Sequence, residues 1–397
     1  MTAHRVLSQH PLNSEPPPAD LIAGGFHTKD ALVYHRNHGE LVNIDPTTYS
    51  LTLSSPEGLF NLTTHDLKLD DVKAFAKEQV EGLLMCAGNR RVEMNEEQKV
   101  EGLCWDRSAL ANAQWGGALL RNVLVDWGVS PEGPFEGLHC HFEADQACDD
   151  DSFFGASIPL SLAMDTAVPA LLAYEMNGEL LPAEHGGPLR VFVPGVIGAR
   201  SCKWVQRILI KTTESECFYQ TKDYKILPPQ ATAETKEKYM KETDAMLQFS
   251  MNTAICSPES GAHIRLSPTS SAIEVAGYAY GSNGTPLCHV FIALLPCSSS
   301  STVASLHSDA GKLSPSSWTA ARLETGDSAP RADGKNYAWT LWKVGLEVPG
   351  LTVGGVEEKD VALVAFCEDV EGNKQPLETP WNLRGLGETS WSVVKVK

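Results

Sequence analysis

Along this 397-residue chain the rhythm of apolar positions changes near residue 245. Before that point strand-like and helix-like patterns alternate. Val80 to Met85 is a short, largely apolar run that predicts a strand, while Leu119, Leu120, Val123, Leu124 and Trp127 recur at helical spacing after Gly116-Gly117. Asp70 and Asp71 are placed to cap a short helix carrying Val72 and Phe75. Leu189 to Val196 is again strand-like and runs into the turn Gly198-Ala199-Arg200. Pro16-Pro17-Pro18 mark an extended N-terminal arm, because proline fits neither a helix interior nor a hydrogen-bonded ladder. Pro228-Pro229 break the chain, and the charged stretch from Gln230 to Asp244 predicts a surface helix or linker.

Beyond residue 245 the segments are short, β-branched and aromatic, and separated by Gly, Pro, Ser and Asn. Ile273 to Tyr280, Cys288 to Leu295, Tyr337 to Val344, Asp360 to Cys367 and Trp391 to Val396 all read as strands, with no strong helix between them. Ser298-Ser299-Ser300-Ser301 fall in a long polar loop. The pattern predicts an α+β protein: a mixed α/β domain over residues 1–245, then an immunoglobulin-like β-sandwich over 246–397. The length suits two domains.

Charge and cysteine usage narrow the function. The formal net charge is −18, which excludes general binding to nucleic acid or to an anionic membrane surface. An anionic substrate would need a local basic pocket. Ten scattered cysteines without a CxxC pair read as reduced thiols and not as a disulfide framework. No apolar stretch approaches membrane-spanning length, and a soluble intracellular protein is expected.

The run Cys86-Ala87-Gly88-Asn89-Arg90-Arg91 places a soft metal ligand, a compact turn and two fixed positive charges within six residues. A thiolate suits a soft or high-valent metal, and adjacent guanidiniums favour the thiolate and attract an anion. By residue types alone, a buried cysteine followed by solvated arginines is the commoner reading.

The hexapeptide resembles the molybdenum-ligand motif of the sulfite oxidase family. The resemblance continues in family order through Tyr34-His35-Arg36-Asn37-His38, Gly102-Leu103-Cys104-Trp105-Asp106, Leu171 to Gly178, His185-Gly186-Gly187-Pro188-Leu189-Arg190, Pro194 to Trp204, Gln220 to Lys225, and Trp381-Asn382-Leu383-Arg384-Gly385. It implies a molybdopterin cofactor, with Cys86 as the protein's metal ligand beside the two dithiolene sulfurs. It also implies cofactor-binding roles for Tyr34, His35, Arg36, Asn37, His38, His185, Arg190, Ser201, Cys202 and Lys203. Asp145 joins this set from His139-Cys140-His141-Phe142-Glu143-Ala144-Asp145, a stretch one residue shorter than the family spacing. The same stretch has no tetrahedral zinc spacing.

For substrate, the resemblance implies Arg36, Arg91, Trp105, Tyr224 and Arg384. Family nitrate reductases generally carry Asn and Met where this chain has Tyr224 and Arg384, so both positions imply oxidation of sulfite to sulfate. Ile226-Leu227-Pro228-Pro229 resembles the nitrate reductase side equally well. A nitrate reductase-like oxotransferase and a non-catalytic binding or scaffold protein remain the alternatives.

The arm before Arg36 is short and no His-Pro-Gly-Gly haem motif occurs, so the haem-free plant type is expected, passing electrons to molecular oxygen or a small acceptor with hydrogen peroxide as product. The terminal Lys395-Val396-Lys397 is not a peroxisomal address. A homodimer formed through the sandwich is the family expectation.

Overall fold

A computed structural model describes residues 3–264, 272–326, 331–347 and 360–397. Four sheets, besides an N-terminal hairpin of Arg5–Gln9 with Leu12–Glu15, organise these residues. The first sheet orders Glu179–Leu180, Leu171–Met176, Leu110–Leu119 and Lys77–Met85, with Arg190–Phe192 also paired to Leu171–Met176. Its pairs are all antiparallel. The second orders His65–Lys68, Ser50–Ser54, Arg207–Lys211, His139–Ala144 and Phe154–Pro159, with one parallel pair between Ser50–Ser54 and Arg207–Lys211.

Strand Lys77–Met85 is nine residues long, exposed at its start and buried from Gly82 onward. It delivers Cys86 straight into the core. Helix Leu120–Trp127 follows strand Leu110–Leu119 directly, so Leu119 closes the strand instead of opening the helix. The helix buries Leu120, Val123 and Leu124 and stops at Gly128, whose positive φ suits glycine. In helix Leu69–Ala74, Asp71 accepts a hydrogen bond from the Lys68 N–H at 2.8 Å, while Phe75 lies just past the end. Pro18 opens helix Pro18–Ala23 as its first residue, where a missing N–H costs nothing. The proline run therefore ends as a helix start and not wholly as an extended arm. The run Leu189 to Val196 shrinks to the three-residue strand Arg190–Phe192.

The remaining two sheets form the C-terminal half. One orders Asn252–Ser257, Ala272–Tyr280, Thr340–Glu347 and Arg322–Glu324; the other orders Thr319–Ala320, Leu287–Pro296, Val361–Asp369 and Ser392–Val396. Ile255, Val275 and Trp342 from the first meet Val290, Leu363 and Val394 from the second in one apolar cluster, the signature of a sandwich. A helix was not expected here. Val303–Ala310 is nevertheless helical, because Thr302 and Ser305 form a reciprocal cap and Leu306 and Ala310 bury against the sheet.

The two halves meet at Arg90. This side chain is fully buried, bonds Glu93 through both Nε (2.9 Å) and Nη2 (2.6 Å), and donates through Nη1 to Asn252 Oδ1 at 2.6 Å and the Ser390 carbonyl at 2.8 Å. Arg107 adds a second ion pair to Glu93 at 3.0 Å. One charged cluster thus fastens the turn after Cys86 to the C-terminal sheets.

Candidate functional site

Cys86 sits where the first sheet ends and the turn to helix Arg91–Glu97 begins. Its backbone is pinned by an N–H donation to the Ala109 carbonyl at 2.9 Å, and its sulfur accepts from the Gly88 N–H at 3.5 Å. The residue is 5% exposed, yet its side chain lines a cavity of about 690 Å³. A buried thiol at a cavity wall is what a single protein thiolate ligand requires.

Tyr34, Arg36, Asn37 and His38 form one wall of that cavity, and His185, Arg190, Ser201 and Lys203 the opposite one. Arg190 is buried and donates to the carbonyls of His185 (2.8 Å) and Ser201 (3.0 Å), so its fork fixes the loops on both sides of it. Burial pulls its pKa down to about 10. Ser201 Oγ accepts from the Val193 N–H at 3.1 Å, leaving its own proton for the cavity. Lys203 Nζ reaches Asn37 Oδ1 across the space and lies 4.3 Å from the centre of the Trp204 ring. Its pKa is pushed well down, first by burial and then by Arg190 and Arg36, so an added anion would be strongly stabilised here. The Cβ of any other residue at 198 would sit 3.0 Å from the Met85 carbonyl oxygen and 3.2 Å from the Tyr34 hydroxyl, so Gly198 permits the close wall.

A second, outer space of about 840 Å³ opens beside the first, and Arg36, Cys86 and Tyr224 belong to both. Arg91 and Arg384 complete its basic lining. Arg91 is 7% exposed and threads between glycines from three segments: a Cβ at Gly88, Gly102 or Gly385 would come within 2.6–2.7 Å of its side chain. Its Nε donates to the Gly385 carbonyl at 3.0 Å and its Nη1 to the Leu103 carbonyl at 2.9 Å. Arg36 donates to Asn13 Oδ1 (3.2 Å), the Asn37 carbonyl (2.5 Å) and His38 Nδ1 (3.1 Å). Among the described residues neither Arg36 nor Arg91 has a carboxylate partner. Arg384 differs: it is ion-paired to Asp223 and, at 3.4 Å, to Glu101.

Tyr224 follows the π-helical turn Tyr219–Asp223. His38 Nε2 lies 2.8 Å from its hydroxyl, and the Arg200 guanidinium stands 5.8 Å from its ring centre. Arg200 itself is buried and donates to the carbonyls of Met246 (3.1 Å) and Tyr219 (2.9 Å).

Not every expected residue reaches the cavities. Asp145 is exposed and ion-paired with Arg207, and Gln146 takes the place on the wall; the stretch one residue short turns its next side chain inward. Trp105 is fully buried behind Tyr34, at 6.2 Å between ring centres, and its Nε1 has no partner among the described residues. It backs the site instead of walling it. His35 turns toward His4 and His185, each 5.5 Å away between ring centres, and bonds Ser14 Oγ at 3.2 Å. Cys202 points into the core, where burial raises its thiol pKa above the ordinary range. Sequence reasoning assigned no role to Gln146, Phe154, Arg200, Asp223 or Glu101; of these Arg200, in the turn after the strand-like run Leu189 to Val196, and Asp223, adjacent to Tyr224, had a positional hint.

Residues 38–219 match the oxidoreductase molybdopterin binding domain and residues 243–397 the Mo-co oxidoreductase dimerisation domain. The chain is 34% identical to sulfite oxidase of Arabidopsis thaliana over 99% of its own length and 93% of that protein. It belongs to the sulfite oxidase family. Within the family, mitochondrial sulfite oxidase of Drosophila melanogaster is 36% identical over 98% of this chain, and the chain spans 62% of that longer protein. The NADH nitrate reductase of Hordeum vulgare is 33% identical over 99% of the chain but only 41% of the reductase. The sulfane dehydrogenase SoxCD from Paracoccus pantotrophus, 21% identical, shares the fold with a TM-score of 0.74 over 100% of this chain and 90% of its own. Among the described residues no helix is long and apolar enough to cross a membrane.

Proposed function

We propose that this sulfite oxidase family member oxidises sulfite to sulfate at a molybdenum–molybdopterin centre held by Cys86. The observation that carries this reading is the junction at Cys86 of two spaces with different linings. The inner one offers Arg190, Lys203, Ser201 and His185 to an anionic, hydrogen-bonding cofactor; the outer one offers Arg36, Arg91 and Arg384 to a small oxyanion. The donor set fits molybdopterin: one buried thiol for the metal, point and forked cations for the phosphate, hydroxyl and amide groups for the pterin edges. When bound, that centre supplies the oxygen atom and takes up two electrons.

The chain's own residues then bind and orient. Arg36 and Arg91 lack carboxylate partners and are therefore electrostatically open to an anion, while Arg384 is partly neutralised by Asp223 and Glu101 at the rim. Tyr224 donates to the oxyanion from a hydroxyl positioned by His38. Trp105 excludes water from behind Tyr34. Electrons leave to molecular oxygen or another small acceptor. The C-terminal sandwich pairs two copies into a homodimer.

The decisive assay uses Arg384→Met and the unmodified enzyme with sulfite and with nitrate. Sulfite-dependent reduction of ferricyanide by the unmodified enzyme, weakened by the substitution, is expected. Nitrate reduction without sulfite activity would establish the nitrate reductase-like alternative instead.

A further inference from the structure

A third space, of about 450 Å³, lies behind Cys86, which lines it as well as the basic mouth, and none of the arginines lines it. Met85 and Cys86 form one side, Met246 and Phe249 of the connecting segment another, and Glu388 and Thr389 of the C-terminal segment the third. Glu388 is 5% exposed. Its Oε1 accepts from the Ser390 N–H at 2.7 Å, the Ser390 hydroxyl and the Thr379 hydroxyl at 3.2 Å. All three bonds fall on one oxygen. Oε2 has no hydrogen-bond partner among the described residues, and the residue lines the space. Among the described residues no salt bridge neutralises the carboxyl, because Arg90 spends its guanidinium on Glu93, Asn252 and Ser390. No hydrogen bond joins Glu388 to Cys86.

Sulfite oxidation releases protons as well as electrons: SO₃²⁻ + H₂O → SO₄²⁻ + 2H⁺ + 2e⁻, the electrons passing to a one-electron acceptor such as ferricyanide. Arg36, Arg91 and Arg384 on the substrate side, with Arg190 and Lys203 deeper in, attract the anion and by the same field oppose the exit of protons. The rear space presents a carboxyl instead of guanidiniums. Asn89, Gln248, Ser250 and Thr389 give that space enough polar groups to hold ordered water.

Resting on the sulfite reading, we propose that Glu388 accepts protons released at the centre and passes them out through water in the space behind Cys86. The groups bearing on it are Arg90, Glu93, Ser390 and Thr379, with Tyr280 across the space donating to Met85 Sδ at 2.8 Å. Burial chiefly raises the Glu388 pKa, Glu93 adds to this, and Arg90 and the Ser390 hydrogen bonds oppose it. The net shift raises the carboxyl above its ordinary value, the direction that favours proton uptake.

The test compares Glu388→Gln and Glu388→Asp holoenzymes, matched for molybdenum, in sulfite oxidation with ferricyanide across pH. Glu388→Gln is expected to lower kcat by about 10-fold or more, to leave the KM for sulfite unchanged and to remove the acid limb of the kcat profile. Glu388→Asp restores most of the rate and the limb. A Gln variant with unmodified kcat and pH profile overturns the proposal while sulfite activity stands. An unmodified, molybdenum-loaded enzyme inactive on sulfite overturns the reading beneath it and the proposal together. If the Gln variant lacks metal, the unmodified holoenzyme decides by infrared difference spectroscopy between oxidised and sulfite-reduced states. A carboxyl C=O band changing with protonation is expected, and a spectrum without one overturns the proposal.

Discussion

His38 Nε2 lies 2.8 Å from the Tyr224 hydroxyl, and Arg36 decides which of the two donates. A guanidinium only donates, so its 3.1 Å contact makes His38 Nδ1 an acceptor and places the imidazole proton on Nε2. His38 therefore donates to the tyrosine oxygen. The Tyr224 proton is left free for a bound oxyanion. Burial, with Arg36, Lys203 and Arg384 around it, holds the His38 pKa well below its ordinary value, so this arrangement persists at neutral pH.

His38→Phe removes the donor while keeping a ring among Phe154 and Tyr219. Sulfite kcat/KM is expected to fall about 10-fold, the equivalent of one hydrogen bond of about 1.4 kcal/mol, with molybdenum content unchanged. Steady-state kinetics beside metal analysis checks this; an unchanged kcat/KM would show that Tyr224 is oriented by something else.

Gly88→Ala should act on Arg91 without touching its charge. The new Cβ would lie 2.7 Å from Nη2 and 2.8 Å from Cζ, so the guanidinium must leave its seat between three glycines. We expect the sulfite KM to rise about 10-fold or more with far-ultraviolet circular dichroism unchanged. A normal KM would remove Arg91 from substrate binding.

Cys86→Ser should abolish molybdenum retention or lower turnover by more than the 10–100-fold typical of outer ligand partners. The fold should persist, because the pinning bonds at this position use the Cys86 backbone. Elemental analysis and thermal melting separate the two effects, and an active, metal-loaded Ser variant would cancel the ligand assignment.

Glu93→Gln tests the junction between the halves. Arg90 and Arg107 both pair with Glu93 in a buried setting, and burial alone would raise the Glu93 pKa, but the two guanidiniums hold it below the ordinary carboxylate range. Neutralising it leaves buried Arg90 without a carboxylate partner and Arg107 with only Asp106, at 3.6 Å, and should cost about 3–5 kcal/mol. Denaturant unfolding measures this; a loss below about 1 kcal/mol would mean that the junction holds without the ion pairs.

Acid should weaken the protein through His35. Burial first, then His185, His4 and Lys203, lower its pKa from 6.5 to about 4. The unfolded chain therefore binds a proton at this residue before the folded one does, so stability falls as pH drops from about 6.5 toward 4. His35→Gln should flatten that part of the plot of Tm against pH, and an equally steep plot would assign the acid sensitivity to other groups.

The sequence by itself determined the elements with strong local signals and the order of the chemical motifs. The apolar run before Cys86, the helical stripe ending at Trp127 and the β-branched segments after residue 245 all impose their form through side-chain period, and the structure contains each with shifted ends. The motif resemblance likewise led to Arg36, Cys86, Arg91, Tyr224 and Arg384, which line one space. Helix Val303–Ala310 was hidden because its polar cap and short length resemble a loop until Leu306 and Ala310 find the sheet.

Only the tertiary structure decided how those residues are used. Arg90 and Arg91 are adjacent and identical in type, yet Arg90 turns into the junction with Asn252 and Ser390 while Arg91 lines the outer space with Arg36 and Arg384. The left-handed backbone at Arg90, φ 66°, sets that divergence, and partners about 160 to 300 residues away in the chain hold it. Asp145 and Gln146, Trp105 behind Tyr34, and Glu388 behind Cys86 follow the same rule. Charge and polarity mark a residue as consequential, but which cavity it faces depends on strand register and on contacts between segments remote in sequence.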